Sequence, residues 1–134
     1  MFDLSNRVAL VTGATGGIGG AIAKALHAQG ATVALSGTRA AVLEELANEL
    51  GERAMVFPAN LADRGSVDAL VPAVEAALGR VDILINNAGI TRDGLIIRMK
   101  DEDWDQVLEV DLQAGFRLAR AAVKGMMKRR FGRI

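Results

Sequence analysis

The stretch VTGATGGIGGAIAKALHAQG, residues 11–30, decides the fold, because it begins as an apolar strand and continues as a helix. Five of its first ten residues are glycine. Glycine leaves the main chain without side-chain cover, and a helix N-terminus offers unpaired N–H groups with a partial positive charge. The stretch therefore predicts a strand–loop–helix unit at which an anion such as a phosphate approaches the backbone closely.

The glycine positions are typical of a dinucleotide-binding loop, in which each glycine has its own task. Gly13 makes the tight turn, Gly17 admits a pyrophosphate close to the backbone, and Gly19 allows the helix to pack near the sheet. The spacing is Gly-x-x-x-Gly-x-Gly, and no lysine followed by serine or threonine completes a P-loop. A glycine-rich turn without a ligand is the alternative interpretation.

Apolar runs and helical patterns alternate along the rest of the chain. Four apolar runs predict buried parallel strands at residues 7–12, 31–36, 53–59 and 81–86. Helices are predicted at residues 17–29, 40–50, 64–78 and 101–129, with Asp101 as the N-cap of the last and a kink or later start at Pro72. Gly30, Gly51 and Gly79 are predicted as left-handed caps. The alternation indicates a single α/β domain over residues 1–134, with helices on both faces of a parallel sheet.

The composition argues against several classes of protein. The chain has no cysteine, one histidine and a formal net charge of zero, so we expect no metal site, no disulfide framework and no nucleic-acid partner. No apolar run reaches the ~18 residues of a membrane span, and the N-terminus lacks a signal pattern. We therefore expect a cytoplasmic protein that does not enter a membrane.

The residues after the second strand indicate which nucleotide is bound. An acidic residue there accepts the ribose hydroxyls of NAD, whereas a basic residue meets the 2′-phosphate of NADP. Thr38 and Arg39 occupy this position, and no carboxylate appears before Glu44. Arg39 can present two N–H groups to a phosphate, and Thr38 and Thr15 add hydroxyl donors. The sequence favours NADP(H); the alternative is that Arg39 is an exposed residue at a helix start.

The motifs TGATGGIG, residues 12–19, and NNAG, residues 86–89, together resemble the short-chain dehydrogenase/reductase superfamily. Residues 90–112 and 126–134 are also similar to the bacterial 3-oxoacyl-acyl-carrier-protein reductases of fatty-acid synthesis. The resemblance extends over the whole chain. It implies a Rossmann-like sheet of order 3-2-1-4, incomplete relative to the family's seven strands, and NADPH-dependent ketone reduction with acyl-carrier protein as the substrate carrier.

The resemblance also implies which residues hold the cofactor, all at the carboxyl ends of strands. The residues implied to bind the pyrophosphate and adenosine ribose are Gly13, Thr15, Gly16, Gly17, Ile18 and Gly19. Thr38 and Arg39 are implied to bind the 2′-phosphate, and Asn60 and Leu61 to flank the adenine. Asn87, Ala88 and Gly89 are implied to line the nicotinamide side. The alternative interpretation of NNAG is a turn in which the asparagine side chains form hydrogen bonds with backbone groups, and it is compatible with cofactor binding.

The sequence departs from the family in its catalytic residues. The family's proton donor is a tyrosine in a Y-x-x-x-K motif after the fifth strand, and this chain contains no tyrosine. We expect the 134 residues to supply the NADP-binding half and to be inactive alone. The alternative is a truncated or engineered nucleotide-binding or assembly module without reductase activity. A flavin-binding module of flavodoxin type has weaker support, because its phosphate loop is usually rich in serine and threonine.

Two further residues have roles that only the resemblance suggests. Asp111 stands at the family's asparagine of the proton relay, where it either disturbs the relay or is a tolerated isostere. Arg130 matches an arginine that docks the acidic carrier protein, and the alternative is a solvated helix end. We also expect a homo-oligomer, formed either through the helix at residues 101–129 or through an unpaired apolar edge of the fourth strand.

Overall fold

The sheet has four parallel strands in the order β3-β2-β1-β4, as the family resemblance implies. The computed structural model describes residues 2–134. The strands are β1 (Val8–Val11), β2 (Thr32–Leu35), β3 (Ala54–Val56) and β4 (Ile83–Ile85). The central β1 pairs with both neighbours, so that Leu10 lies opposite Ala34 on one side and Leu84 on the other. The loops that follow β1 and β4 are therefore adjacent at one edge of the sheet.

The helices follow the predicted alternation with strands. They are α1 (Gly17–Ala28), α2 (Ala40–Leu50), α3 (Arg64–Leu78), α4 (Asp101–Leu108) and α5 (Ala114–Arg129), with a 3-10 turn at Ile96–Arg98. The predicted left-handed cap is confirmed at Gly79, with φ +84° and ψ −19°. Gly30 and Gly51 also have positive φ values, +100° and +75°, but the cap of α1 is Gln29 and Gly51 has ψ −127°, outside the left-handed helical region. No helix within residues 2–134 is long and apolar enough to cross a membrane.

Alternate residues of each strand supply the two halves of the core. Leu10, Ala34 and Leu84 face one side and pack in a cluster with the buried residues of α3 and α5. Val11, Val33 and their neighbours face the other side and pack with α1 and α2. Because the side-chain period of a strand is two, an apolar run without polar alternation is what a sheet covered on both faces requires.

The helix predicted over residues 64–78 is confirmed, whereas the alternative of a later start at Pro72 and the N-cap predicted at Asp101 are wrong. The helix containing Pro72 begins at Arg64, not later, because the Asp63 carboxylate accepts a 2.8 Å hydrogen bond from the Ser66 N–H and caps it. Pro72 lies on the exposed face, where water can serve the carbonyl that its missing N–H leaves unpaired. Lys100, not Asp101, is the N-cap of α4. Asp101 instead begins the helix, where a carboxylate still interacts favourably with the dipole.

The helix predicted over residues 101–129 is interrupted. A π-helical segment, Glu109–Gln113, separates α4 from α5 without breaking the helical path. Such segments occur mostly as single turns inside α-helices, and often near functional sites. Asp111, the residue that departs from the family's asparagine, lies in the middle of this segment.

The outer edge of β4 is partly covered, so the prediction of a wholly unpaired edge is wrong. The Leu84 N–H donates to the Arg133 carbonyl at 2.9 Å, and the Arg133 N–H donates to the Asp82 carbonyl at 3.0 Å. Arg133 thereby forms a parallel bridge with Ile83. The chain can return to β4 because Arg130, the C-cap that follows α5, adopts a left-handed conformation with φ +55°.

Candidate functional site

The ends of β1 and β4 are joined by Thr12 and Asn87. The buried Thr12 hydroxyl donates to the Ile85 carbonyl at 3.0 Å and accepts from the N–H groups of Asn87 and Ala88, each at 3.1 Å. The Asn87 side-chain amide donates in return to the carbonyls of Thr12 and Gly13, at 3.1 and 3.2 Å. These bonds fix the NNAG turn against the start of the glycine loop.

Gly13 and Gly19 are required by the packing of the loop itself. Gly13 has φ +62°, and a Cβ placed there would lie 2.8 Å from Asn87 Nδ2. A Cβ on Gly19 would lie 2.1 Å from the Gly13 carbonyl oxygen and 2.6 Å from Asn87 Nδ2. Gly19 therefore allows α1 to lie close to the glycine loop and to the turn after β4. The sequence had indicated that Gly19 would allow the helix to pack near the strands of the sheet.

Gly17 differs from these two glycines, because a Cβ placed on it would meet no atom within 4 Å among residues 2–134. It is the first residue of α1, and its N-cap, Gly16, makes no side-chain capping bond. The first turn of α1 carries no acidic residue. The amides at this helix start are thus left to an outside acceptor, and the open space at Gly17 suits a group that lies against the backbone.

The glycine loop also contacts the segment after β2. The Ala14 N–H donates to the Ser36 carbonyl at 3.0 Å. A Cβ on Gly37 would lie 3.1 Å from the Thr15 methyl group, so the two segments touch through a glycine. Arg39, the N-cap of α2, donates from Nη2 to the Thr15 carbonyl at 3.0 Å. The predicted phosphate loop and the predicted 2′-phosphate residues therefore form one continuous wall.

Asn60 shapes the turn after β3. Its side-chain oxygen accepts from the Ala62 N–H at 3.0 Å, and its own backbone N–H donates to the Ser66 hydroxyl at 2.9 Å. An asparagine side chain that bonds its backbone two residues on forms an Asx turn. The turn holds Asn60 and Leu61 at the same edge of the sheet as the glycine loop.

An open cleft of about 450 Å³ lies at the carboxyl ends of the strands. All thirteen residues predicted to hold the cofactor line it: Gly13, Thr15, Gly16, Gly17, Ile18, Gly19, Thr38, Arg39, Asn60, Leu61, Asn87, Ala88 and Gly89. Sequence reasoning missed eight others: Thr12, Ser36, Gly37, Ala59, Ala62, Ile90, Gln106 and Val110. Most of these are direct neighbours of named residues, whereas Gln106 and Val110 come from α4 and the π segment, for which no local pattern exists.

Asp111 and Arg130 do not line this cleft. The Asp111 carboxylate accepts a 2.8 Å hydrogen bond from the N–H of Ile90, which does line it, so Asp111 ties the π segment to the cleft wall. Arg130 follows α5, where the neighbouring Arg129 donates to the Val81 carbonyl just before β4. Arg130 is therefore at the end of the sheet opposite to the cleft.

Two ion pairs whose members have shifted pKa values connect α3 to the helices beside it. A hydrogen bond from Arg117 on α5 lowers the pKa of the Asp68 carboxyl on α3. The Glu109 carboxylate, which accepts from Arg64 at 3.0 and 3.1 Å, raises the pKa of that guanidinium. These ion pairs lie outside the cleft and serve the packing of the helices.

The fold and the cleft define a nucleotide-binding protein of the Rossmann type, and comparison with known proteins gives its family. The family model described as "short chain dehydrogenase" matches residues 7–134, and the chain belongs to that family. It is 63% identical over its full length to nodulation protein G of Rhizobium sp. (strain N33), of which it covers 55%. It is 43% identical over 98% of its length to the 3-oxoacyl-[acyl-carrier-protein] reductase FabG of Escherichia coli (strain K12), of which it covers 54%.

A solved structure supports the same assignment. The chain superposes on a metagenomic short-chain oxidoreductase crystallised in complex with NADP, with a TM-score of 0.91 and 37% identity. The match covers 96% of this chain and 60% of that one. The chain thus spans about half the length of the curated relatives it matches.

Proposed function

We propose that this chain binds NADP(H) in the cleft at the carboxyl ends of β1 to β4. The observation that carries the proposal is the start of α1, where backbone amides face a space that a Cβ on Gly17 would enter without touching the protein. A diphosphate is the anion that suits such a helix start in a Rossmann-like sheet. The NADP complex of the metagenomic relative supports the choice of nucleotide.

Different residues around the cleft would bind different parts of the nucleotide. The amides of Gly17, Ile18 and Gly19 would hold the diphosphate, because the Gly16 N–H already donates to the Gly13 carbonyl at 3.1 Å. Thr38 and Arg39 would meet the 2′-phosphate. Asn87 and its neighbours would line the nicotinamide side, held rigid by their bonds to Thr12. NADPH, when bound, supplies a hydride to an electrophilic carbon; the chain's own part is to bind it, orient it and fix the turn behind it.

We further propose that the reaction served is the reduction of a 3-oxoacyl thioester on acyl-carrier protein in the bacterial cytoplasm. The support is the 43–48% identity to 3-oxoacyl-[acyl-carrier-protein] reductases of several bacteria. Asp111 would take the place of the family's relay asparagine, and its bond to the Ile90 N–H preserves the acceptor that an asparagine oxygen would provide. Carrier docking at Arg130 has weaker support, because Arg130 lies at the opposite end of the sheet from the cleft of the same chain.

A nucleotide-binding module without reductase activity is the second candidate, and the cleft that these 134 residues form is all that it requires. The two candidates separate in one pair of measurements on the 134-residue chain. Calorimetric titration with NADPH is expected to show binding under both. Oxidation of NADPH with an acetoacetyl thioester is expected to be absent from the 134-residue chain and present when the tyrosine-bearing remainder of a relative is joined to it. No activity in the joined protein favours the module, and no binding of NADPH overturns both.

The outer face of the π segment and α5 supports a proposal that the chain forms a homo-oligomer. Leu112, Phe116 and Met127 expose 64%, 62% and 73% of their surface, and their spacing places them along one side of the helical path. The inner side of α5, with Leu118, Ala122 and Met126, is already buried against α3 and the sheet. Since Arg133 covers part of the β4 edge, the helix face is the better candidate of the two interfaces predicted.

A further inference from the structure

We propose that Arg39 is a positioning residue for the whole dinucleotide site: its guanidinium fastens the glycine loop through the Thr15 carbonyl, so that Arg39 contributes to the binding of NAD as well as NADP. The inference rests on the proposed binding of a nicotinamide nucleotide. It goes beyond the usual role of a basic residue after the second strand, which is to meet the 2′-phosphate alone.

The first argument is the contact itself. Arg39 Nη2 donates to the Thr15 carbonyl at 3.0 Å, across 24 residues of chain. Thr15 directly precedes Gly16, the N-cap of α1. A bond to the Thr15 carbonyl therefore restrains the peptide unit that leads into the diphosphate-binding amides, a unit whose glycine neighbours give it little stiffness of their own.

The second argument is that other contacts hold the glycine loop on either side of the bond between Arg39 and Thr15. The loop is already fixed to β2 by the Ala14 N–H bond to the Ser36 carbonyl and by the close packing of Gly37 against the Thr15 methyl group. Between Thr15 and the start of α1, the Gly16 N–H bonds back to Gly13 within the loop. Arg39 thus adds a fastening from α2 at the point where the loop passes into the helix.

The third argument is the number of hydrogen-bond donors on the arginine side chain. A guanidinium carries several N–H groups in a planar fork, and Thr15 engages Nη2 only. The remaining donors stay available to a 2′-phosphate, so one side chain can fasten the loop and meet the phosphate together. Because the guanidinium is already oriented by Thr15, less side-chain freedom is lost when the phosphate binds.

The test is calorimetric titration of wild type, Arg39→Met and Arg39→Ala with NADP and with NAD. Arg39→Met keeps the length of the stem and removes every donor, while Arg39→Ala removes the stem as well. Both variants are expected to lose affinity for NAD about three- to tenfold, and to lose more for NADP. Lys124→Ala, which removes one exposed positive charge on α5, is the matched control and should change neither affinity.

Amide hydrogen exchange in the nucleotide-free variants gives the second readout. Exchange is expected to rise in residues 13–19 and to stay unchanged in the strands, since Arg39 is exposed and fastens only the loop. An Arg39→Met variant that weakens NADP alone, with NAD affinity and loop exchange as in wild type, overturns the inference and leaves the proposed function intact. A wild-type chain that binds neither nucleotide removes the proposed function, and the inference with it.

Discussion

Asn87 and Thr12 bond to each other twice, once from the Asn87 backbone N–H to the threonine hydroxyl and once from the Asn87 side-chain amide to the threonine carbonyl, both at 3.1 Å. The pair joins residues 75 positions apart in the sequence. Within the NNAG motif, the Asn87 side chain therefore satisfies backbone groups, as the interpretation of the motif as a turn suggested. Asn87 also lines the cleft. The interpretation as a turn residue and the interpretation as a cofactor-binding residue therefore both apply to Asn87.

Thr12→Val tests this junction, because valine keeps the volume of threonine and removes its hydroxyl. The N–H groups of Asn87 and Ala88 would lose their acceptor in a part-buried place. We expect a loss of about 1–3 kcal/mol in the free energy of unfolding, measured by urea denaturation. Thr91→Val, at an exposed position, is the control. Equal stability of the two variants would show that the junction contributes nothing.

Gly17 and Gly19 should respond oppositely to substitution. A leucine at Gly17 begins in open space, so Gly17→Leu is expected to fold with near wild-type stability and to lose NADPH affinity at least about tenfold. An alanine at Gly19 would meet the Gly13 carbonyl, so Gly19→Ala is expected to lower the melting temperature. Thermal melts and calorimetry on both proteins check the pair. Full NADPH affinity in Gly17→Leu would contradict the proposed diphosphate site.

Asp82 is the buried charge on which the other end of the sheet depends. Its side chain is fully buried, accepts from the Val8 N–H at 3.0 Å, and accepts from Arg80 at 2.7 and 2.9 Å. Asp82→Ala leaves Arg80 and a strand amide without their acceptor and removes the ion pair with Arg129, whose Nε lies 3.5 Å from the carboxylate. We expect a loss of about 3–5 kcal/mol in unfolding free energy. Asp93→Ala, in an exposed loop, should be neutral in the same chemical denaturation. A loss below 1 kcal/mol at Asp82 would refute this account.

Phe116 tests the proposed association through α5. Phe116→Glu places a charge in the exposed apolar face and is expected to shift the chain toward its monomer mass of 14.1 kDa in light scattering. Ala76→Glu adds the same charge on the exposed side of α3 and should leave the mass of the wild-type assembly unchanged. A wild-type chain that is already monomeric at high concentration would exclude the interface.

The sequence was sufficient for the sheet and for most of the cleft. Apolar runs such as that around Leu10 carry no polar alternation, and this pattern alone predicted a sheet covered on both faces. The glycine loop and the residues after β2 were predictable because parallel strands end at one edge, where motifs after neighbouring strands meet. The residues after β3 and β4 were assigned by the family resemblance. The site residues remain predictions of function, since their positions show a cleft and not a bound nucleotide.

What the sequence could not give depends on contacts distant in the chain. The π segment around Asp111 has no local signature in the sequence, and its bond to the Ile90 N–H joins residues 21 positions apart. The pairing of Arg133 with β4 follows from the left-handed turn at Arg130, a conformation that arginine rarely adopts. The bond from Arg39 to Thr15 likewise required knowing how close α2 comes to the glycine loop.

The ion pair between α3 and α5 predicts a pH dependence of stability. The hydrogen bond from Arg117 lowers the pKa of Asp68 in the folded chain, with further contributions from the charges of Arg117, Arg120 and Arg64. A carboxyl whose folded pKa lies below its unfolded value stabilises the fold above the unfolded pKa, and this stabilisation is lost as the pH falls through the folded pKa. The contribution is therefore present at neutral pH and disappears in acid.

Asp68→Asn removes the titrating group and is the direct test. At pH 7 the variant is expected to unfold at lower urea concentration than wild type, and the difference should shrink as the pH falls below about 4. Because the pair is exposed to solvent, the difference should also shrink at high salt. Asp93→Asn, an exposed carboxylate in the loop before α4, serves as the control at each pH. A difference for Asp68→Asn that stays constant from pH 7 into acid would mean that the Arg117 bond does not favour the ionised carboxylate in the folded chain.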